Sequence, residues 1–230
     1  MIVNAWLCRV GHTALFDERG PAAMADQEIR SPEKERQILD GAAAAFAQDG
    51  YEGASMSHIA AMAGVSKGTL YNYFAGKKDL FAAFVHRECT QRLMLLFEEV
   101  EAGASTEATL LRICRRLVDM MVSDSGLLIY RMVVAEARKF PELAEAFYDA
   151  GPRRAQHRMA ELIDRQTASG QLTVPDSVFA AEQLFALMQA RVVVKLRMGL
   201  ADGFPEEELD RVVREGVRLF LRGYGPACGG

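Results

Sequence analysis

Paired cysteines, a basic excess, strand-like alternation and long apolar runs are all missing from this chain, and each absence removes a class of protein. Four cysteines in 230 residues, Cys8, Cys89, Cys114 and Cys228, lie far apart. No pair has metal-ligand spacing and four such residues make no disulfide scaffold, so they read as reduced thiols of a cytoplasmic protein. Cys89 and Cys114 fall on helical patterns and read as core. No segment is long and apolar enough to span a bilayer, so no membrane partner is expected. The opening stretch MIVNAWLCRVGHTALF is broken by Arg9, Gly11 and His12. It lacks a basic n-region and a clear cleavage site, which makes it a poor signal peptide. Residues 1–30 are expected to be a disordered arm or an upstream extension of the reading frame. The histidines (His12, His58, His86, His157) are scattered over different segments, with no HExxH and no carboxylate pair. No catalytic group, metal or cofactor is therefore expected, and an enzyme is disfavoured. The formal net charge is −4 and the sequence pI about 5.7. Many nucleic-acid-binding domains are basic, so any duplex contact here has to come from local placement of charge.

What is present is helical period. Half the residues are hydrophobic, enough for one large domain or a small and a medium one. The pattern predicts an all-α fold of about nine helices. The first runs from Pro32 to Gln48, with Ser31 as N-cap, Glu35 completing a capping pattern and Gly50 as its stop. A second covers Met56–Ala63 behind Ser55, and a third Lys67–Phe74 behind Ser66. Between them Gly64 makes the turn, with positive φ expected, and Val65 plugs the gap. A long fourth helix runs from Lys77 to about Val100. Further helices are expected at 107–122, 127–139, 141–168 with an interruption at Gly151-Pro152, 177–198 and 205–222. SDSG at 123–126 reads as a break.

Residues 55–80, SMSHIAAMAGVSKGTLYNYFAGKKDL, carry the most information. Two short helices joined by a tight turn, then a third element opening on Gly-Lys-Lys, is the build of a helix-turn-helix. Leu70 and Phe74, four apart, point to the core. Tyr71 and Tyr73 cannot both join them, so at least one is outside. Lys67, Gly68 and Thr69 would meet a groove first. Lysine can donate to guanine or phosphate, glycine lets backbone come close, and the threonine methyl can touch thymine. Asn72 lies on the same outward face. Tyr73 offers a phenol to a phosphate, and Lys77 follows the Gly76 turn where its ammonium and helix N-terminal amides can share one. Ser55 and Ser57 carry hydroxyls that can cap a helix, hold phosphate, or both.

These residues resemble the TetR family of transcriptional regulators. The resemblance covers about residues 31–90, through FAQDGYEGASM and IAAMAGVSKGTLYNYFAGKKDLF. More weakly, YRMVVAEARKFPELAEAFYDAGPRR is similar to the C-terminal domain of the AefR-like subgroup. The resemblance implies a DNA-binding domain at 31–91 and a ligand-binding and dimerisation domain at 92–225. It implies base contacts from Lys67, Gly68, Thr69, Tyr71 and Asn72, and phosphate contacts from Ser55, Tyr73 and Lys77, with Ser57 as an extra. The Ser57 position is often longer or charged in that family, so a base contact from the second helix is in doubt.

The same resemblance implies a homodimer that reads a double-stranded palindromic operator, with heads about 34–36 Å apart, and a small-molecule inducer. The expected dimer faces are Ala180, Ala181, Leu184, Leu187, Met188 and Ala190 on one helix and Leu209, Val212, Val213, Gly216, Val217 and Phe220 on the last. The alternative is that these faces are buried inside one subunit. For the inducer cavity, Met120, Met121, Met132, Phe147, Tyr148, Phe185 and Met188 are the apolar candidates, methionine adapting well to irregular ligands. Arg131, His157 and Arg191 are the polar anchors. A repressor released by a hydrophobic ligand is the leading expectation. An activator, or a helical adaptor whose DNA module has decayed, stands beside it, although intact Gly64, Thr69, Tyr73 and Lys77 speak against decay.

Overall fold

The computed structural model describes residues 31–98 and 104–226. Expectations for residues 1–30 and for the last residues fall outside that range, and the fourth helix is corrected: it ends at Leu96, with Phe97 as its C-cap, short of Val100. All the regular structure among the described residues is helical, with no strand. In chain order the helices are α1 Pro32–Gly53, α2 Met56–Met62, α3 Lys67–Tyr73, α4 Lys77–Leu96, α5 Thr106–Val122 and α6 Asp124–Glu136. They continue with α7 Pro141–Tyr148, a π turn Asp149–Arg153, α8 Arg154–Ala168, α9 Ser177–Gln189, α10 Val192–Arg197 and α11 Glu206–Tyr224.

The first three helices start where a serine hydroxyl meets an orphan amide. Ser31 Oγ accepts from Lys34 N at 3.4 Å, Ser55 Oγ from His58 N at 3.1 Å, and Ser66 Oγ from Thr69 N at 3.0 Å. Each satisfies a donor that the first helical turn leaves open. Gly50 leaves the helical region (φ 69°, ψ 177°), so α1 breaks where expected and a last turn, Tyr51–Gly53, follows at a new angle. Gly64 lies at φ 63°, the left-handed conformation that lets α2 turn into α3 without a Cβ clash.

Two hydrophobic cores share α4. The first gathers Ile38, Phe46, Ile59, Leu70, Leu80, Phe81 and Phe84 under the first three helices, and takes in Ile129, Met132, Val133 and Leu143 from α6 and α7. Phe46 is its centre, with ring centroids 5.3 Å from Phe81, 5.8 Å from Phe84 and 5.9 Å from Tyr51. The second core begins at Leu93 and Leu96 on the same α4 and runs through α5, α8, α9, α10 and α11. One helix thus spans both cores.

Three local expectations are corrected. The SDSG break shrinks to Ser123, which ends α5 and caps α6 by accepting from Gly126 N at 3.2 Å. The helix expected over 177–198 is split at Arg191, whose φ of 64° and ψ of −68° close a γ-turn, Val192 N donating to Ala190 O at 2.7 Å. Such positive-φ γ-turns are strained and rare. The interruption at Gly151-Pro152 is present, but as a π turn that keeps α7 and α8 continuous.

Of the expected dimer faces, all but Ala190, which stays exposed at the C-cap of α9, are taken up within the subunit. Ala180, Ala181, Leu184 and Met188 are buried within the subunit, as are Leu209, Val213, Gly216, Val217 and Phe220. Leu187 and Val212 pack beside them. Gly216 faces Met188 and Leu187 of its own chain, so it brings α11 close to α9 rather than to a partner helix.

Candidate nucleic-acid interface and ligand cavity

α3 buries only Leu70 completely, with Phe74 at its C-cap. Lys67, Gly68, Tyr71 and Asn72 are exposed along one edge, Tyr71 at 52%. Lys67 has no ion pair among the described residues. Thr69 is half-buried and its hydroxyl shares a 2.8 Å hydrogen bond with Ser66 Oγ. Ser55 and Ser57 are exposed at the start of α2. The Ser55 oxygen already accepts from the His58 amide, and its own hydrogen remains available to donate to a phosphate.

Tyr73 and Lys77 hold structure together. The Tyr73 phenol oxygen accepts from Ser31 N at 2.8 Å, tying the start of α1 to the end of α3, and its own hydrogen is still available to donate. Lys77 is turned inward. Its Nζ donates to the carbonyls of Tyr51 at 2.7 Å and Glu52 at 3.0 Å and sits 4.7 Å from the Tyr51 ring centre. Burial pushes its pKa below the ordinary lysine value, against the opposing pull of Glu136 and Glu52. The ammonium therefore braces the break in α1, and at most one of its three N–H groups is left for a phosphate.

The second domain holds a cavity of about 300 Å³, walled by the C-terminal half of α4, by α5 and α6, by the α7–α8 joint, and by α9 and α10. Five of the ten candidates, Met120, Met121, Phe147, Tyr148 and Phe185, lie on its wall. The other five lie elsewhere. Met132 packs into the head's core and Met188 into the α9–α11 core. His157 is exposed on α8. Arg131 donates to the Leu196 carbonyl, and Arg191 pairs with Glu208 outside the cavity.

The polar groups of the cavity are instead Arg92, Tyr130, Gln156, Gln189 and Arg197. One was visible in the sequence. Cys89, Arg92, Leu93 and Leu96 follow the spacing of one helix face, so Arg92 shares the inward stripe of α4. Arg197 had no such signal, because the turn at Arg191 resets the helical phase before it.

A corner of the structure joins cavity to head. α6 and α7 help to wall the cavity, and their junction meets the break in α1. Phe140 packs edge-on to Tyr51 with centroids 5.3 Å apart, Lys139 pairs with Glu52, and Lys78 Nζ lies 3.3 Å from Glu142 Oε1.

A helix-turn-helix head with an exposed polar edge, set on a helical domain with its own cavity, defines a DNA-binding regulator. Residues 38–84 match the model of bacterial regulatory proteins of the tetR family, and residues 108–226, more than half the chain, match the AefR-like transcriptional repressor C-terminal domain. The chain belongs to the TetR family, whose members are transcription regulators and not enzymes. A crystal structure of a TetR-family regulator from Mesorhizobium loti is 31% identical, with a TM-score of 0.76, covering 86% of this chain and 100% of that one. The flavonoid-responsive regulator FrrA is 28% identical, with a TM-score of 0.75 over 86% of this chain and 100% of that one. The fatty acid metabolism regulator protein of Bacillus subtilis is 29% identical over 96 residues, 42% of this chain and 50% of that protein. The chain spans half or less of the length of the curated relatives it matches. No described helix is long and apolar enough to cross a membrane.

Proposed function

We propose that two copies of this chain bind one palindromic operator and repress transcription until a small ligand enters the cavity. The observation that carries this reading is the outward edge of α3, where Lys67, Gly68, Tyr71 and Asn72 stand exposed together. Lys67 and Asn72 match the chemistry of guanine and adenine edges, and Gly68 admits the duplex closely. Ser55, Ser57, the Tyr73 hydroxyl and the amides at the start of α4 hold phosphates, with Lys77 acting chiefly as a brace. The mates join through the outward sides of α9 and α11. Phe179 at 54% exposure, Ala186 and Ala190 recur along α9, and Leu219 at 57% stands on α11 beside it.

Release follows from the shared helix and the corner. A ligand that pushes on α4, α6 or α7 loads the contacts at Tyr51, Glu52 and Glu142 and tilts the heads out of register. A swing from 99:1 to 1:99 in favour of the released state needs roughly 5.5 kcal/mol of differential binding. The test is a gel shift with the duplex upstream of the gene, using wild type, Lys67→Ala and Tyr71→Ala. Each substitution is expected to cost about 1–3 kcal/mol of operator affinity. Two folded variants that bind like wild type would refute the base-reading edge.

A further inference from the structure

The cavity carries charge of one sign only. Its lining includes two arginines, Arg92 and Arg197, and no aspartate or glutamate, in a chain with 31 acidic and 27 basic residues. Elsewhere in the same domain arginines find carboxylates readily: Arg115 pairs with Asp119, Glu206 and Asp210, and Arg191 with Glu208. Arg92 is partly compensated. It donates to Ser123 Oγ at 3.2 Å and Ser125 Oγ at 2.5 Å, and lies 3.5 Å from Glu88, a carboxylate it shares with Arg87.

Arg197 has no carboxylate partner among the described residues. Its guanidinium carbon lies 3.7 Å from the Tyr130 ring centre, and Nη1 donates to Gln189 Oε1 at 2.6 Å. Its Nε is buried with no acceptor, as is Nε of Arg92. Burial pushes the Arg197 pKa below the usual arginine range. A half-buried cation with an orphaned N–H and no counter-charge is costly in the empty protein, and an incoming anion removes that cost. The remaining walls, such as Leu93, Leu96, Met120, Phe147 and Phe185, are apolar.

We propose that this cavity binds an amphipathic organic monoanion, a carboxylate on an alkyl chain or a single aromatic ring, with its charged end on Arg197 and its body against the methionines and phenylalanines. The proposal rests on reading the cavity as the effector site. The volume of about 300 Å³ falls within the range of small-molecule pockets and suits one such molecule. Arginine is the side chain suited to a planar carboxylate, because its fork of N–H groups matches the two oxygens. Arg92, at the α4–α6 corner of the same cavity, adds to the positive potential.

The test is calorimetric titration of the full-length protein with decanoate and para-butylbenzoate, against decanol, para-butylbenzyl alcohol and decyltrimethylammonium. The carboxylates are expected to bind about tenfold or more tighter than the alcohols, since hydrogen bonds to charged groups are the strong ones. The quaternary ammonium is expected not to bind. Arg197→Gln is expected to erase the preference for carboxylate and keep the affinity for alcohol, which also reports that the cavity is still folded. Arg197→Lys is expected to keep part of the preference. Equal binding of acid and alcohol, preference for the cation, no binding of any probe, or a preference that survives Arg197→Gln would each overturn the proposal. The same samples are tested on the upstream duplex. DNA binding without carboxylate selectivity overturns the ligand assignment alone, while carboxylate selectivity without DNA binding overturns the regulatory reading and leaves the cavity assignment standing.

Discussion

Gly41 offers a severe test of how the reading head is built. It lies buried in the middle of α1, and a Cβ added there would come 2.5 Å from the backbone N, the Cα and the Cβ of Ala63. Ala63 closes α2, and its carbonyl accepts from Gln37 Nε2 of α1 at 2.7 Å, so the two elements are pinned at this point. No rotamer change relieves a contact with backbone. Gly41→Ala forces α1 and α2 apart by about an ångström to reach ordinary carbon–carbon separations of about 3.5–4.0 Å. Overpacking of this kind costs about 1–3 kcal/mol, and the better helix propensity of alanine returns about 1 kcal/mol. Because the clash is with main chain, the upper half of the range applies, for a net loss of about 1–2 kcal/mol. In a chain of this length each kcal/mol moves Tm by about 2–4 °C, so a fall of about 2–8 °C is expected. α2 carries α3 through the short Gly64–Ser66 turn, so the displaced α2 also tilts α3 and weakens operator binding. Scanning calorimetry at fixed protein concentration, with fluorescence anisotropy on the operator, measures both effects. A Gly41→Ala protein with unchanged or higher Tm would refute the close approach of α1 and α2.

The remaining predictions use other local features. At Gly68, exposed in the first turn of α3, an added Cβ meets only Ser66 Oγ at 3.7 Å. Gly68→Ala is therefore expected to raise stability by up to about 1 kcal/mol while lowering operator affinity, and unaltered affinity would remove Gly68 from the interface. At the strained Arg191 turn, glycine is expected to outdo alanine: Arg191→Gly should exceed Arg191→Ala in stability by about 1 kcal/mol, since both lose the Glu208 pair and only glycine is at ease at positive φ. The reverse order, as found in a helix, would disprove the turn. Burial pushes the Cys89 thiol up to about 11 and the Cys114 thiol up to about 12. Neither is expected to react with iodoacetamide at mildly alkaline pH until the protein is denatured, as peptide mapping would show. Both thiols hold their protons more tightly when folded, so their contribution to stability is complete below their ordinary value of 9.0 and is lost as pH rises towards 12.

The head was legible because its signals are local. Ser31, Ser55 and Ser66 each cap a helix one residue later, and Gly50 and Gly64 mark positions where the chain needs φ values that other residues resist. The second domain was legible only as a set of helices. The break at Arg191 has no glycine or proline to announce it, and the residues just beyond it, Val192, Val193 and Leu196, are buried, so tertiary packing rather than a local signal goes with the turn. Apolar stripes on α9 and α11 have the same period whether they meet within one subunit or between two, and here the strongest stripes are used inside. Lys77 shows a similar limit. A lysine after a turn suits a phosphate, yet the carbonyls of Tyr51 and Glu52 lie within its reach and accept two of its N–H groups. Of the cavity's arginines, Arg92 has a signal in its spacing on the inward stripe of α4, while Arg197 has none because the Arg191 turn shifts the helical phase before it.

The most direct measurement is selection of duplexes from a randomised pool by the full-length protein, followed by the stoichiometry and affinity of the winning sequence for wild type and Tyr71→Ala. The account predicts enrichment of an inverted repeat, two or more chains per duplex in whole pairs, and affinity reduced by about tenfold or more for the variant. A pool that yields no preferred sequence, or a Tyr71→Ala protein that keeps full affinity for the selected duplex, would contradict it.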